Sequence, residues 1–181
     1  RLAFQSKDYD KAGQQIDEAI KLKPDYDEAW SLLARTRMMQ GETDEALAIM
    51  QKLVDSDPGN STHRASYARL LAVAKRYDEA LKQFRLVLKA TPDNADIIYA
   101  IALLNLEQRK FSQAERYFKT LLDKRKHVFE SYYYLGGIAE ELKQSNLKIS
   151  QLLRNMVVSA AGGLVLLLGG LFGLALSGSH S

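Results

Sequence analysis

The sequence contains no cysteine, and it has only three prolines and three histidines. Without cysteine the chain can form no disulfide, no thiolate nucleophile and no cysteine-ligated zinc site. The histidines, His63, His127 and His180, are scattered, and none has a second histidine at ligand spacing. We therefore expect no catalytic residue, no metal site and no cofactor, and we predict that the protein is not an enzyme. His127 and Glu130 are expected to form a solvated turn pair.

The sequence also lacks a strong excess of charge of either sign. Lys plus Arg number 25 against 22 Asp plus Glu, which gives a net charge of +3 spread along the chain. Nucleic-acid-binding proteins usually cluster their basic residues on one face, so no nucleic acid partner is expected. The hydrophobic content of 46% is sufficient for a sizeable buried core.

Small residues recur at one fixed interval of 34 positions. Three independent series share this period: Ala12, Ala46, Ala80 and Ala114; Ala34, Ala68, Ala102 and Gly136; and Pro24, Pro58 and Pro92. Two antiparallel helices can approach closely only where their side chains are small. A proline just past the second helix cannot continue it, and it disfavours the helical conformation of the preceding residue. The period therefore predicts one pair of helices per repeat, with turns at Asp57–Asn60 and Thr91–Asn94.

The residues at fixed positions of these repeats resemble the tetratricopeptide-repeat (TPR) family, whose repeat also spans 34 residues. The matching positions are Trp30, Leu33, Ala34, Ala46, Met50 and Pro58 in one copy, and Tyr67, Ala68, Leu71, Tyr77, Ala80, Phe84 and Pro92 in the next. The resemblance implies an all-α fold, a right-handed α-solenoid of helix-turn-helix repeats, and an uncharged segment after the array predicts that a single transmembrane helix follows it. We assign the array to 1–143, with full repeats at 27–60, 61–94 and 95–128 and partial repeats at 1–26 and 129–143.

Both ends of the array depart from the pattern. In register, Arg1–Gln5 is expected to be the tail of a first helix A. At the other end Lys148 takes the place that Ala114 holds in the preceding repeat. Because a charge at a close helix crossing is costly to bury, a regular helix B is not expected there, and the regular array should end near Lys143.

An uncharged segment follows, Met156–Leu176, which is long enough to cross a hydrocarbon core of about 30 Å as a helix. We predict a basic amphipathic linker at 144–154, a transmembrane helix at 155–176 in contact with the lipid bilayer, and a short tail at 177–181. Lys143, Lys148 and Arg154 precede the span and no Lys or Arg follows it, which favours a single-pass protein with its array on the cytoplasmic face. Gly169 and Gly173 have the spacing of a helix-association motif, so self-association is a further possibility. This segment has two alternative origins. It could come from a shifted or truncated reading frame, or it could be the first helix of a larger membrane domain.

The resemblance also implies where a partner binds. In TPR proteins helix A lines the concave surface, on which a partner protein, peptide or helix lies. Carrying those positions onto this chain predicts a partner-binding surface formed by Arg35, Met38, Met39, Arg69, Tyr99, Leu103, Leu106 and Tyr133. Its basic half and its apolar half suit a peptide with an acidic part and a hydrophobic anchor.

These features predict a membrane-anchored scaffold or adaptor that binds a partner protein. One alternative is a bacterial envelope scaffold, similar to a lipoprotein in the periplasm, that positions an enzyme such as a protease or a cell-envelope assembly factor. A second alternative is the regulatory TPR region of an enzyme whose catalytic domain lies outside this sequence.

Overall fold

The computed structural model describes the backbone of residues 2–177 and the side chains of residues 8–158. Eight α-helices account for the regular structure of this part of the chain. They are α1 (Leu2–Leu22), α2 (Asp27–Gln40), α3 (Thr43–Ser56), α4 (Ser61–Val73), α5 (Tyr77–Ala90), α6 (Ala95–Glu107), α7 (Phe111–Asp123) and α8 (Val128–Ser177). The chain divides into two compact units, Arg1–Tyr132 and Tyr133–Ser181.

The first unit is an α-solenoid in which each helix packs against the next. The most extensive contacts join α2 to α3, α4 to α5, and α6 to α7, which are the predicted helix pairs. Every alanine predicted at a crossing between these six helices has no exposed surface: Ala34, Ala46, Ala68, Ala80, Ala102 and Ala114. The 34-residue period of small residues therefore marks the points where paired helices approach most closely.

The turns that follow the second helix of a pair form where the prolines predict them. Helices α1, α3 and α5 each end two residues before a proline, at Leu22, Ser56 and Ala90. Asn60 and Asn94 then cap the helices that follow. The Asn60 side chain accepts hydrogen bonds from the backbone N–H groups of Thr62 and His63, at 3.1 and 3.0 Å. Such caps satisfy N–H groups that have no partner inside the helix.

The tighter turns inside each pair depend on one left-handed residue. Gly41 has φ +86°, and the residues 34 and 68 positions later, Lys75 and Arg109, have φ values of 61° and 56°. In all three turns this residue and the next donate their backbone N–H groups back to the end of the preceding helix. Glycine, which adopts this conformation without steric penalty, occupies only one of the three positions.

Polar side chains link helices that belong to neighbouring repeats. Gln40 donates to Asp10 at 2.7 Å, and Gln108 donates to Asp78 at 3.0 Å in the same register two repeats later. Lys110 is a further partner of Asp78, at 3.4 Å. The hydrogen bond from Gln108, and then the charge of Lys110, lower the pKa of the Asp78 carboxyl below its ordinary value of 3.8.

This shift predicts a small acid-dependent loss of stability. A carboxyl whose pKa is lowered in the folded state stabilises the fold above its unfolded pKa, and this contribution is lost as the pH falls through the folded value. We expect Asp78→Asn to reduce the urea midpoint at about pH 6, and the difference from the native chain to shrink on acidification to about pH 3. Asp25→Asn, at an exposed inter-helix turn, is the control. A difference that is independent of pH would show that the Asp78 charge contributes nothing.

One buried polar residue interrupts the core of α6. Asn105 is fully buried, and its Nδ2 donates to the backbone oxygen of Ile101 at 2.8 Å, but its Oδ1 has no hydrogen-bond partner. The equivalent position in the preceding repeat is Leu71, which is also fully buried.

We expect Asn105→Leu to stabilise the array by about 1–2 kcal/mol, because it removes an unsatisfied buried carbonyl and adds apolar surface at a site where the repeat accepts leucine. Urea denaturation followed by far-UV circular dichroism measures the change. Leu71→Asn is the reciprocal variant and should lose stability. A destabilised Asn105→Leu would indicate that the amide has a structural role beyond its bond to Ile101.

The amino-terminal end differs from the sequence expectation, and the carboxyl-terminal end agrees with it. Helix α1 runs without a break from Leu2 to Leu22, so the prediction that Arg1–Gln5 forms the tail of a separate helix A is wrong. Helix α8 continues past Lys143 and Lys148 without a turn, so no separate helix B forms, as the sequence predicts, and the predicted linker 144–154 is helical. Its side chains are exposed, and they include the apolar residues Leu147, Ile149, Leu152 and Leu153.

Candidate interaction surface

A groove lies at the start of the first unit, between α1, α2 and α4. Its volume is about 830 Å³. The lining is mostly apolar and comprises Tyr9, Ala12, Gln15, Ile16 and Ala19 of α1; Tyr26, Glu28, Ala29, Leu32, Arg35, Thr36, Met38 and Met39 from the α2 region; and Leu70 and Val73 of α4. Several apolar side chains in it are open to solvent, with exposed fractions of 60% for Met39 and 65% for Val73. Apolar surface of this kind typically marks an interaction site.

A partly buried arginine links α1 to α2. Arg37 of α2 donates to Asp17 of α1 at 3.0 Å and to Glu45 of α3 at 3.1 Å, and its side chain is only 18% exposed. Charged hydrogen bonds from a partly buried guanidinium are stronger and more directional than those on an open surface. Arg37 therefore joins three helices and holds the wall of the groove in place.

Polar groups lie at one edge of the groove. A second depression of about 520 Å³ shares Glu28, Leu32 and Arg35 with it and extends to the start of α4. There His63 is largely buried, its Nε2 lies 3.8 Å from an oxygen of Asp27, and its Nδ1 has no partner. The surface therefore combines an apolar floor with a rim of mixed charge.

The structure brings together three of the residues predicted to bind a partner. Arg35, Met38 and Met39 all line the groove, whereas Arg69 is exposed on α4 but does not line it. Tyr133 is exposed and belongs to the second unit, where its ring meets that of Tyr134 edge-on at 5.3 Å.

The remaining predicted residues lie on α6 and are partly buried: Tyr99, Leu103 and Leu106. Tyr99 stacks on the imidazole of His127 with ring centroids 4.4 Å apart, and it meets Phe118 edge-on at 6.2 Å. His127 in turn lies 3.0 Å from Asp96 through Nε2. The prediction that His127 forms a solvated pair with Glu130 is therefore wrong. The imidazole instead contacts the Asp96 carboxylate and stacks on the Tyr99 ring.

Sequence reasoning missed most of the groove because it considered helix A only. Helix α1 has the register of the second helices α3, α5 and α7. Tyr9, Ile16 and Ala19 were therefore not among the residues predicted to bind a partner. A signal for them was present, since Ala12, Ile16 and Ala19 lie 34 residues before Ala46, Met50 and Leu53 of the buried face of α3.

The predicted membrane segment falls mostly on residues 159–176, whose side chains lie outside the described part of the chain. Within the part that is described, no helix combines the length and the apolar character that a membrane crossing needs.

Comparison with known proteins supports the TPR fold. One curated relative, the N-terminal acetyltransferase A complex auxiliary subunit NAA15 of Arabidopsis thaliana, is 26% identical over 110 residues, and the chain spans only 12% of its length. Among solved structures, MamA matches with a TM-score of 0.62 at 18% identity, over 76% of this chain and 80% of MamA. A tetratricopeptide repeat protein from Parabacteroides merdae matches with a TM-score of 0.55 at 22% identity, over 67% of this chain and 51% of that protein.

The family model of the cytochrome c-type biogenesis protein H TPR domain matches residues 16–127. This range includes the three predicted helix pairs and most of the groove. The chain belongs to the cytochrome c-type biogenesis protein H TPR domain family.

Proposed function

We propose that the protein is a non-enzymatic scaffold that binds a partner protein on the groove between α1, α2 and α4. The observation that carries this proposal is the open apolar surface of that groove beside Arg35, on a rigid array of paired helices. A rigid array presents its binding residues without the loss of entropy that ordering a loop would require. TPR domains in general bind protein partners, which agrees with this use of the surface.

The exposed groove residues provide a direct test. The double variant Arg35→Glu, Met39→Asp alters two exposed side chains, so the fold should persist. We expect affinity capture with the full chain to recover partner proteins. The double variant should bind these partners with an affinity at least about tenfold lower, which corresponds to roughly 1.4 kcal/mol.

The matched control is Ala48→Asp, Lys52→Glu, which alters two exposed positions of α3 outside the groove. It introduces acidic charge of the same kind. If both double variants capture the same partners as the native chain, the groove is not the binding surface. A second comparison, with Arg69→Ala and Tyr133→Ala, tests the predicted residues that lie outside the groove.

We further propose that residues 155–176 anchor the array in a membrane, with the array on the cytoplasmic face. The uncharged segment Met156–Leu176 and the basic residues before it support this part of the proposal. In membranes of the source cell, the native chain should resist extraction with alkaline carbonate, and Leu166→Arg, Leu168→Arg should be extracted. Protease should digest the array from the cytoplasmic side. Protection from that side would instead favour the periplasmic envelope scaffold.

A second candidate function is a scaffold role in cytochrome c-type biogenesis, the process for which the matched family is named. The match over residues 16–127 favours it. Deletion of the gene should then reduce the covalently haem-stained cytochromes in the source organism, and the Arg35→Glu, Met39→Asp variant should fail to restore them. Unchanged haem staining in the deletion strain would exclude this role.

A further inference from the structure

The basic residues are spread along the sequence, but folding collects five of them on one side of α5 and α7. Each of these helices buries the side that carries Ala80 and Phe84 or, 34 residues later, Ala114 and Phe118. The opposite side faces solvent, and we call it the basic face. Its members are Lys82, Arg85, Leu86 and Lys89 of α5, and Glu115, Arg116, Lys119 and Asp123 of α7. All of them except the partly buried Glu115 are exposed.

The basic face contains five basic and two acidic residues, so its net charge of +3 equals that of the whole chain. The remainder of the chain is therefore balanced. The repeat does not require this charge, because the positions of α3 in the same register as the α5 residues carry one basic and one acidic side chain. They are Ala48, Gln51, Lys52 and Asp55.

Four of the five basic side chains have no salt bridge to neutralise them. Lys119 pairs with Glu115 at 2.7 Å. Among the side chains that the structure describes, the members of the face that lack a carboxylate at salt-bridge distance are Lys82, Arg85, Lys89 and Arg116. Unpaired charges of one sign on a single surface attract an anionic partner.

The acidic residues in the first turn of α5 are engaged elsewhere. Asp78 pairs with Lys110 and Glu79 pairs with Arg76, and both basic partners lie outside the basic face. Since Lys110 directly precedes α7, its bond to Asp78 also holds the start of α5 beside the start of α7. The two halves of the basic face therefore lie on neighbouring helices.

We propose that the basic face binds the anionic surface of a lipid bilayer. Lys and Arg side chains are attracted to the negative potential of anionic headgroups, and their apolar stems can lie along the headgroup layer. Leu86 is 43% exposed between these charges, and it would enter the boundary between the headgroups and the acyl chains.

Two considerations separate this inference from its neighbours. A nucleic acid would pair with the charges but offer nothing to Leu86, and none of the eight residues of the face is an aromatic on which a base could stack. The inference also goes beyond the proposed anchor. Residues 155–176 would hold the chain in neutral and anionic bilayers alike, whereas the basic face prefers the anionic one.

A label at the centre of the basic face tests the contact. Because the chain has no cysteine, Leu86→Cys provides a single attachment point for an environment-sensitive fluorophore. The labelled full chain is reconstituted into vesicles of brominated phosphatidylcholine, with or without about one third phosphatidylglycerol in both leaflets, so that either orientation of the chain meets the same lipid. We expect quenching by the bromine atoms to be at least about twofold stronger in the anionic vesicles, and salt at about 0.5 M to abolish the difference.

Two controls locate the effect on the basic face. Lys52→Cys places the label at the equivalent exposed position of α3, where quenching should not depend on phosphatidylglycerol. Adding Arg85→Glu, Arg116→Glu to the Leu86→Cys chain should remove the difference. Adding Lys21→Glu, Lys52→Glu, which changes the net charge equally at exposed positions elsewhere, should preserve it. Circular dichroism verifies that all variants are folded.

Equal quenching at position 86 in neutral and anionic vesicles would overturn the proposal. The same holds if Lys21→Glu, Lys52→Glu removes the difference as completely as Arg85→Glu, Arg116→Glu, or if the face binds duplex DNA or an acidic protein without quenching in anionic vesicles. Resistance to alkaline carbonate in the neutral vesicles tests the anchor separately. A chain that resists extraction but shows no quenching that depends on phosphatidylglycerol keeps its anchor and loses the lipid site on the basic face, and a chain that is quenched but extracted shows the reverse.

Discussion

Ala114→Lys is expected to unfold the pair formed by α6 and α7 under conditions in which the native chain is stable. Ala114 has no exposed surface and lies at the close crossing of this pair. A lysine there must either bury its ammonium group without a partner or separate the two helices. The expected loss is about 3–5 kcal/mol, the cost of an uncompensated charge in a packed interior.

The change is measured by urea denaturation, with hydrogen exchange of the α6 and α7 amides to localise it. Ala48→Lys on α3 is the control, since Ala48 is exposed and a lysine there should alter stability by less than about 0.5 kcal/mol. A variant Ala114→Lys that is as stable as the control would mean that the helix pairs tolerate charge at their crossings. It would also remove the reason for expecting Lys148 to prevent a further pair.

Phe84→Ala is expected to cost about 3–5 kcal/mol, through the lost burial of the ring and the cavity that remains. Phe84 is 1% exposed on α5 and belongs to the continuous core that extends from Ile16 to Leu104. Because neighbouring helix pairs in an array stabilise one another, the loss should also lower the protection of α4 and α6 from hydrogen exchange.

The control for this truncation is on the same helix. Leu86 is 43% exposed, so Leu86→Ala removes a large apolar side chain with little loss of packing and should cost less than about 1 kcal/mol. The free energies of unfolding of the two variants, measured by thermal and urea denaturation, should differ by several kilocalories per mole. Equal losses would imply that the α5 face carrying Phe84 is not the packed one.

The repeat architecture was readable from the sequence because its physical cause is local and periodic. A close helix crossing tolerates only a small side chain, so alanine recurs at Ala46, Ala80 and Ala114, and all three prove to be fully buried. Proline lacks a backbone N–H and its ring clashes with the preceding turn, so the ends of α3 and α5 were predictable. The expected break after Gln5 does not form, because no proline lies between Gln5 and Leu22 and the helix continues through the one glycine there, Gly13.

The binding surface was only partly predictable. Arg35, Met38 and Met39 follow from their register in helix A, and they line the groove. The opposite wall is formed by residues of α1, and their place in the groove depends on how α1 packs against α2. Likewise, the stacking of Tyr99 on His127 joins residues from different helices, and no spacing in the sequence indicates it.

The sequence by itself determined the helix pairs, their crossings and their turns, because these follow from side-chain size and backbone chemistry within each 34-residue repeat. Only the tertiary structure decided which residues line the groove. Ala19 and Leu53 occupy the same register, yet Leu53 is buried while Ala19 is exposed and lines the groove. Burial depends on which helix packs against a face, and identical local patterns acquire different roles when their neighbours differ.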